Sequence, residues 1–130
     1  MIVVDASALI AILFQEPDGD IYDDALFDAR NACIGAPTLF EYLLVVENKR
    51  GSIVREKARR LVEEYGITVS PWTADHVTLG EEAFVKFGKG RHPAKLNFGD
   101  CMSYALAKSL DAPLLYKGTD FGLTDIRSAV

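Results

Sequence analysis

Short runs of β-branched and apolar residues alternate with longer stretches of helical periodicity along the whole chain. MIVVD (1–5) reads as a buried strand stopped by an acid. ASALIAILFQE (6–16) predicts a helix that is apolar on most sides and is ended by Pro17. Residues 18–30 predict a second helix with Ile21, Ala25, Leu26 and Ala29 on one face, and NACIGA (31–36) a second strand. Pro37 opens a strongly apolar helix that runs to Gly51, since its missing N–H costs nothing in a first turn. Ser52 is able to cap the next helix, which is expected to carry Val54, Ala58, Leu61, Val62 and Tyr65 inward and Arg55, Glu56, Lys57, Arg59, Arg60 and Glu63 outward.

ITVSP (67–71) is a third strand, and 73–87 a helix with Val77, Leu79, Ala83, Phe84 and Phe87 as core. A basic, glycine-rich loop (88–99) leads to a last helix over 100–111. A fourth strand (112–118) and a turn (119–126) follow. Strands alternating with helices in this way predict an α/β class with a mainly parallel central sheet and helices on both faces. Ligands in such folds sit beyond the carboxyl ends of the strands.

A length of 130 residues with 49% apolar content is one domain's worth, 1–130, able to build its own core. Two cysteines, Cys33 and Cys101, form no C-x-x-C pair, which points to a reduced, cytoplasmic setting. No basic region precedes the first apolar stretch and Asp5 interrupts it, so neither a signal peptide nor a spanning helix is expected. With only His76 and His92, a histidine-rich metal site is excluded, and no G-x-S-x-G, H-E-x-x-H or Walker loop is present. The 19 acids exceed the 14 bases, giving a formal charge of −5, which at first sight disfavours a nucleic-acid partner.

Five acids stand out from the solvent-facing ones. Asp5 ends the first strand, Glu41 lies inside TLFEYLLVV, Asp100 starts a helix after NFG, and Asp120 and Asp125 follow strand LLYKG. Local roles exist for each: helix N-caps at Asp5 and Asp100, a Thr38-x-x-Glu41 capping box, turn aspartates at Asp120 and Asp125. A carboxylate set in apolar sequence is nevertheless costly without compensation. All-oxygen donor sets suit hard ions such as Mg²⁺ or Mn²⁺, whose chemistry is phosphoryl or phosphodiester transfer. Ser7 and Thr119 are candidates to orient these carboxylates or to bond a phosphate. Ser7 is not a nucleophile here, because no histidine base accompanies it.

MIVVDASALIAILFQEP, TLFEYLLVV, LNFGDCMSYALAK and PLLYKGTDFGLTDI together resemble the PIN-domain ribonucleases, specifically the VapC-type toxins of toxin–antitoxin pairs. That resemblance implies a PIN-like three-layer α/β/α sandwich and an acidic pocket that binds Mg²⁺ or Mn²⁺ for RNA cleavage. By position, Asp5, Glu41, Asp100 and Asp120 are the implied catalytic acids, and Asp5, Asp100, Asp120 and Asp125 the implied metal partners. Thr119 replaces the asparagine found in many relatives. The resemblance further implies a VapB-type antitoxin partner, a homodimer and an RNA substrate, with no membrane association. Lys89, Arg91 and Lys95, in the loop that leads to Asp100, are the candidate RNA contacts. Two rival readings are a non-catalytic PIN-like binding module and an aspartate-based phosphotransfer domain, the latter lacking a D-x-D pair because position 7 is Ser.

Overall fold

The structure is a computed structural model that describes all 130 residues. Four strands, β1 (Ile2–Val4), β2 (Ala32–Gly35), β3 (Thr68–Ser70) and β4 (Leu114–Leu115), form one sheet in the order β3-β2-β1-β4. All three pairings are parallel. The helices are α1 (Ala6–Leu13), α2 (Gly19–Asp28), α3 (Ala36–Arg50), α4 (Ser52–Glu64), α5 (Ala74–Phe87) and α6 (Phe98–Leu110).

Side chains alternate across a strand, and the sheet therefore feeds two cores. Val4, Ile34 and Leu115 face a cluster built with α1 to α4, which includes Leu9, Tyr42, Leu43, Val46, Ala58 and Val62. Val3, Cys33 and Leu114 face the opposite cluster, with Ala83 of α5 and Tyr104, Leu106 and Ala107 of α6. The result is the expected three-layer α/β/α sandwich. Tyr42, fully buried, donates its hydroxyl to the Ala58 carbonyl at 3.0 Å and so ties α3 to α4.

Several boundaries and faces depart from the sequence reading. α1 ends at Leu13 rather than at residue 16, because Gln15 turns into the left-handed region (φ 53°). Gly19 then packs so close to the Ala11 carbonyl that a Cβ would collide with it, which lets α2 fold back on α1. α2 buries Tyr22 and Leu26, while Ile21 is outside. α5 buries His76, Gly80 and Ala83 and leaves Val77 and Phe84 exposed. The fourth strand is only two residues long, and α6 begins two residues before Asp100. No helix is long and apolar enough to cross a membrane.

Candidate active site

β1 has β2 and then β3 on one side and β4 on the other, so the strand order reverses between β1 and β4. A crevice opens beyond the carboxyl ends of strands at such a point. Asp5 is the residue that follows β1, and Asp120 lies in the turn after β4. Glu41 is in the second turn of α3, the helix that leaves β2, and Asp100 is in the first turn of α6. Asp5, Ser7, Glu41, Asn97 and Asp100 line one small cleft of about 190 Å³.

Asp5 is buried and is also the N-cap of α1. Its Oδ2 accepts from the Ser7 backbone N–H at 3.1 Å and from the Ser7 hydroxyl at 2.6 Å. Its Oδ1 accepts from the Ser103 hydroxyl at 2.5 Å. The Ser7 hydroxyl in turn accepts from the Lys117 N–H at 3.0 Å, just past β4. Thr38 Oγ1 lies 3.4 Å from Ser103 Oγ. Thr38 is not an N-cap: α3 starts at Ala36 with Gly35 as cap, and Thr38 is buried inside the first turn.

Asp100 is not the cap of α6 either. Asn97 holds that place and accepts from the Asp100 N–H at 2.9 Å, while Asp100 Oδ2 accepts from the Asn97 N–H at 3.0 Å. This reciprocal capping box turns the Asp100 side chain back over the start of the helix. Gly99 allows a further close approach: a Cβ there would fall on the Glu41 carboxylate.

The electrostatics of the cleft are those of unrelieved like charge. Burial, opposed by the Asn97 N–H and reinforced by the charges of Asp5 and Asp120, pushes the Asp100 carboxyl up to about 6. Burial and the charges of Asp5 and Asp100 also push Glu41 up. None of Asp5, Glu41, Asp100 and Asp120 is in a salt bridge with a basic side chain. Asp125 is placed differently. Its Oδ1 accepts from the Tyr104 hydroxyl at 2.6 Å and its Oδ2 pairs with Lys108 Nζ at 2.7 Å. The effect of burial on its carboxyl is outweighed by the Lys108 and Tyr104 bonds, which together hold it below the usual range. The structure therefore brings Asp5, Glu41 and Asp100 together in one cleft, sets Asp120 exposed at its edge, where its charge still reaches Asp100, and leaves Asp125 outside. Thr119 is exposed beside Asp120.

A carboxylate set with hydrogen-bond donors but no basic partner fits a hard divalent cation. No three acids close tightly on one point, which suits an ion that takes one or two carboxylates and keeps its waters. Two residues of this site are absent from the sequence reading, Ser103 and Asn97. The signal for Ser103 is a single hydroxyl in the buried CMSYALA run; for Asn97 it is an Asn three residues before an Asp.

Lys89, Arg91 and Lys95 are exposed, none is in a salt bridge, and they line a concave face of about 560 Å³ with Gly90, His92 and Pro93. The loop is pinned at its base by Lys89 N–H to Leu96 O and Leu96 N–H to Phe87 O, and it runs directly into the Asn97 cap. The Arg91 guanidinium sits over the exposed Phe84 ring, 5.5 Å from its centre.

The family model described as PIN domain matches residues 2–126. Ribonuclease VapC28 of Mycobacterium tuberculosis is 42% identical over 129 residues, covering 98% of this chain and 97% of that protein. Ribonuclease VapC36 of the same organism is 42% identical over 125 residues, covering 95% and 90%. Among solved structures, the M. tuberculosis toxin VapC20, described as cleaving the sarcin–ricin loop, superposes with a TM-score of 0.77 at 17% identity, covering 98% of this chain and 99% of that one. A DNA-bound VapBC from Salmonella typhimurium gives 0.73 at 18% identity, covering 98% and 95%.

Proposed function

The chain belongs to the PIN-domain family, and on that premise we propose that it is a divalent-metal-dependent endoribonuclease, the toxin of a type II toxin–antitoxin pair. The observation that carries this reading is the meeting of Asp5, Glu41 and Asp100 at the sheet's switch point, with Asp120 at the edge and no basic side chain paired to any of them. On this reading residues 1–130 act as one PIN domain.

Asp5 and Asp100 would hold Mg²⁺ or Mn²⁺, with Asp120 at the rim. The chemistry such an ion supplies is that of a Lewis acid: easier deprotonation of water and compensation of charge on the phosphate oxygens. Asp5 is kept in one orientation by Ser7 and Ser103. Asp100 has Oδ1 available, because its Oδ2 is committed to the Asn97 N–H. Glu41, pushed up by burial and its neighbours, accepts the proton of the attacking water and orients it with Asp120. In-line attack expels the 3′-oxygen and leaves a 5′-phosphate. This route uses no 2′-hydroxyl, so the choice of RNA rests on the ribonuclease relatives.

The partner follows from the same charge pattern. A VapB-type antitoxin that lays a lysine or arginine over the cleft would supply the missing cation. Lys89, Arg91 and Lys95 contact RNA phosphates on the approach to Asp100.

The test is cleavage of labelled structured RNA by the purified chain in Mg²⁺, with an EDTA control. Asp5→Asn and Asp100→Asn are expected to lose at least roughly 100-fold in rate, on the order of what misplacing a reacting group costs. Asp125→Asn is expected to cut like the parent, since its carboxylate serves Tyr104 and Lys108. An Asp5→Asn variant as fast as the parent removes the assignment.

A further inference from the structure

Asp5 uses its two oxygens unequally. Oδ2 accepts two bonds, both from Ser7, and Oδ1 accepts one, from Ser103. An ionised carboxylate offers about four lone-pair sites. Three are taken, and the one that remains is on Oδ1.

The directions of the bonds behind this are determined by proton count. A hydroxyl has one proton to give. Ser7 gives its own to Asp5 and receives from the Lys117 N–H. Ser103 gives its own to Asp5, so in the Thr38–Ser103 contact Thr38 must be the donor. Two short relays, Lys117 to Ser7 and Thr38 to Ser103, thus end on the two oxygens of one carboxylate.

Ser103 is an unusual choice for packing alone. It is buried among Cys101, Met102, Tyr104, Ala105, Leu106 and Ala107, where alanine is the neighbouring small residue. A helical serine commonly returns its proton to a carbonyl one turn earlier, as Ser109 does to Leu106 O at 2.8 Å. Ser103 instead reaches Asp5, 98 residues away in sequence.

We propose that Ser103, oriented by Thr38, is a positioning residue that makes Asp5 a one-oxygen ligand for the divalent ion. Ser7 closes Oδ2, and Ser103 fixes Oδ1 so that it presents a single lone pair. This rests on the metal-dependent reading above. The Ser103 hydroxyl is spent on Asp5, and it acts through that carboxylate.

The test is Mn²⁺ titration of the full chain, followed by the EPR signal of free Mn²⁺, alongside thermal melting in EDTA. Ser103→Ala is expected to weaken Mn²⁺ binding about tenfold, the lower end of what removing a partner behind a metal ligand costs, beyond the lowering of the EDTA melting temperature that loss of one hydrogen bond to a buried carboxylate brings. Thr38→Val, which keeps the shape, is expected to weaken it in the same direction by a smaller factor. In an Asp5→Asn background, adding Ser103→Ala should change nothing further. A Ser103→Ala protein that melts lower but binds Mn²⁺ like the parent overturns the proposal, as does an undiminished Ser103 effect without Asp5. If Ser103→Ala does not fold, Thr38→Val decides, and unchanged Mn²⁺ affinity there refutes the relay. A parent chain that binds no Mn²⁺ refutes the metal reading itself, a result distinct from all of these.

Discussion

Removing the Asp100 charge should make the metal-free protein more stable while abolishing its chemistry. Burial and the charges of Asp5 and Asp120, set against the Asn97 bond, displace this carboxyl from 3.8 to about 6. At ~1.4 kcal/mol per tenfold, that displacement corresponds to roughly 3 kcal/mol between the two protonation states. The cleft is open to water, and screening reduces the usable part to about 1–2 kcal/mol. Asn at this position keeps an oxygen for the Asn97 N–H and so preserves the capping box. The sign follows from proton binding. A raised carboxyl means the folded chain binds more protons than the unfolded one between about pH 4 and 6, so parent stability falls as pH rises through that window. The assay is thermal melting of parent and Asp100→Asn in EDTA. The variant should melt about 3–8 °C higher at a pH of about 7.5, and the difference should vanish near a pH of about 3.5, where the parent carboxyl is protonated too. With saturating Mn²⁺ the order should reverse, because only the parent gains from binding. A variant that melts lower than the parent in EDTA at neutral pH would show that Asp100 stabilises its helix end more than its neighbours repel it.

Two further outcomes follow from the geometry. Gly99→Ala places a methyl group on the Glu41 carboxylate, so kcat for RNA cleavage should fall roughly 10- to 100-fold, as expected for a misplaced catalytic group, with a melting temperature close to the parent's. Changing Lys89, Arg91 and Lys95 together to Glu should weaken RNA binding and lower the slope of log K against log salt by about one for each phosphate no longer neutralised, read by binding isotherms at several salt concentrations; an unchanged slope takes the loop out of the interface.

The path of the backbone is largely readable from periodicity and punctuation. MIVVD, Pro37, Gly51 and Gly66 each mark a boundary within a residue or two of the observed one, because local sterics alone decide them. Faces are less readable. Val77 and Phe84 fit a helical stripe, yet α5 turns Gly80 and Ala83 inward, since small residues let it approach α6. The acids divide in the same way. Asp5, Glu41 and Asp100 announce themselves by sitting in apolar sequence. Asp120 and Asp125 look alike as turn aspartates, and only the fold separates them, by bringing Lys108 and Tyr104 to Asp125 from an earlier helix. Ser103 and Thr38 are hidden because their role exists only across the interface of α3, α6 and β1. The charge of −5 also changes its meaning: three acids without a basic partner share one cleft, while Lys89, Arg91 and Lys95 stand free of ion pairs.

The strand order has a consequence for how such a molecule is made. β1 is synthesised first, yet its outer neighbour β4 is nearly the last element to emerge. Asp100 and Asp120 both belong to the final quarter of the chain. Asp5 and Glu41 therefore precede in the chain both Asp100 and the Ser103 hydroxyl and Lys117 N–H that orient Asp5. The sheet's central strand thus gains its last neighbour, and the carboxylate that follows it gains its last hydrogen bonds, from segments distant in sequence.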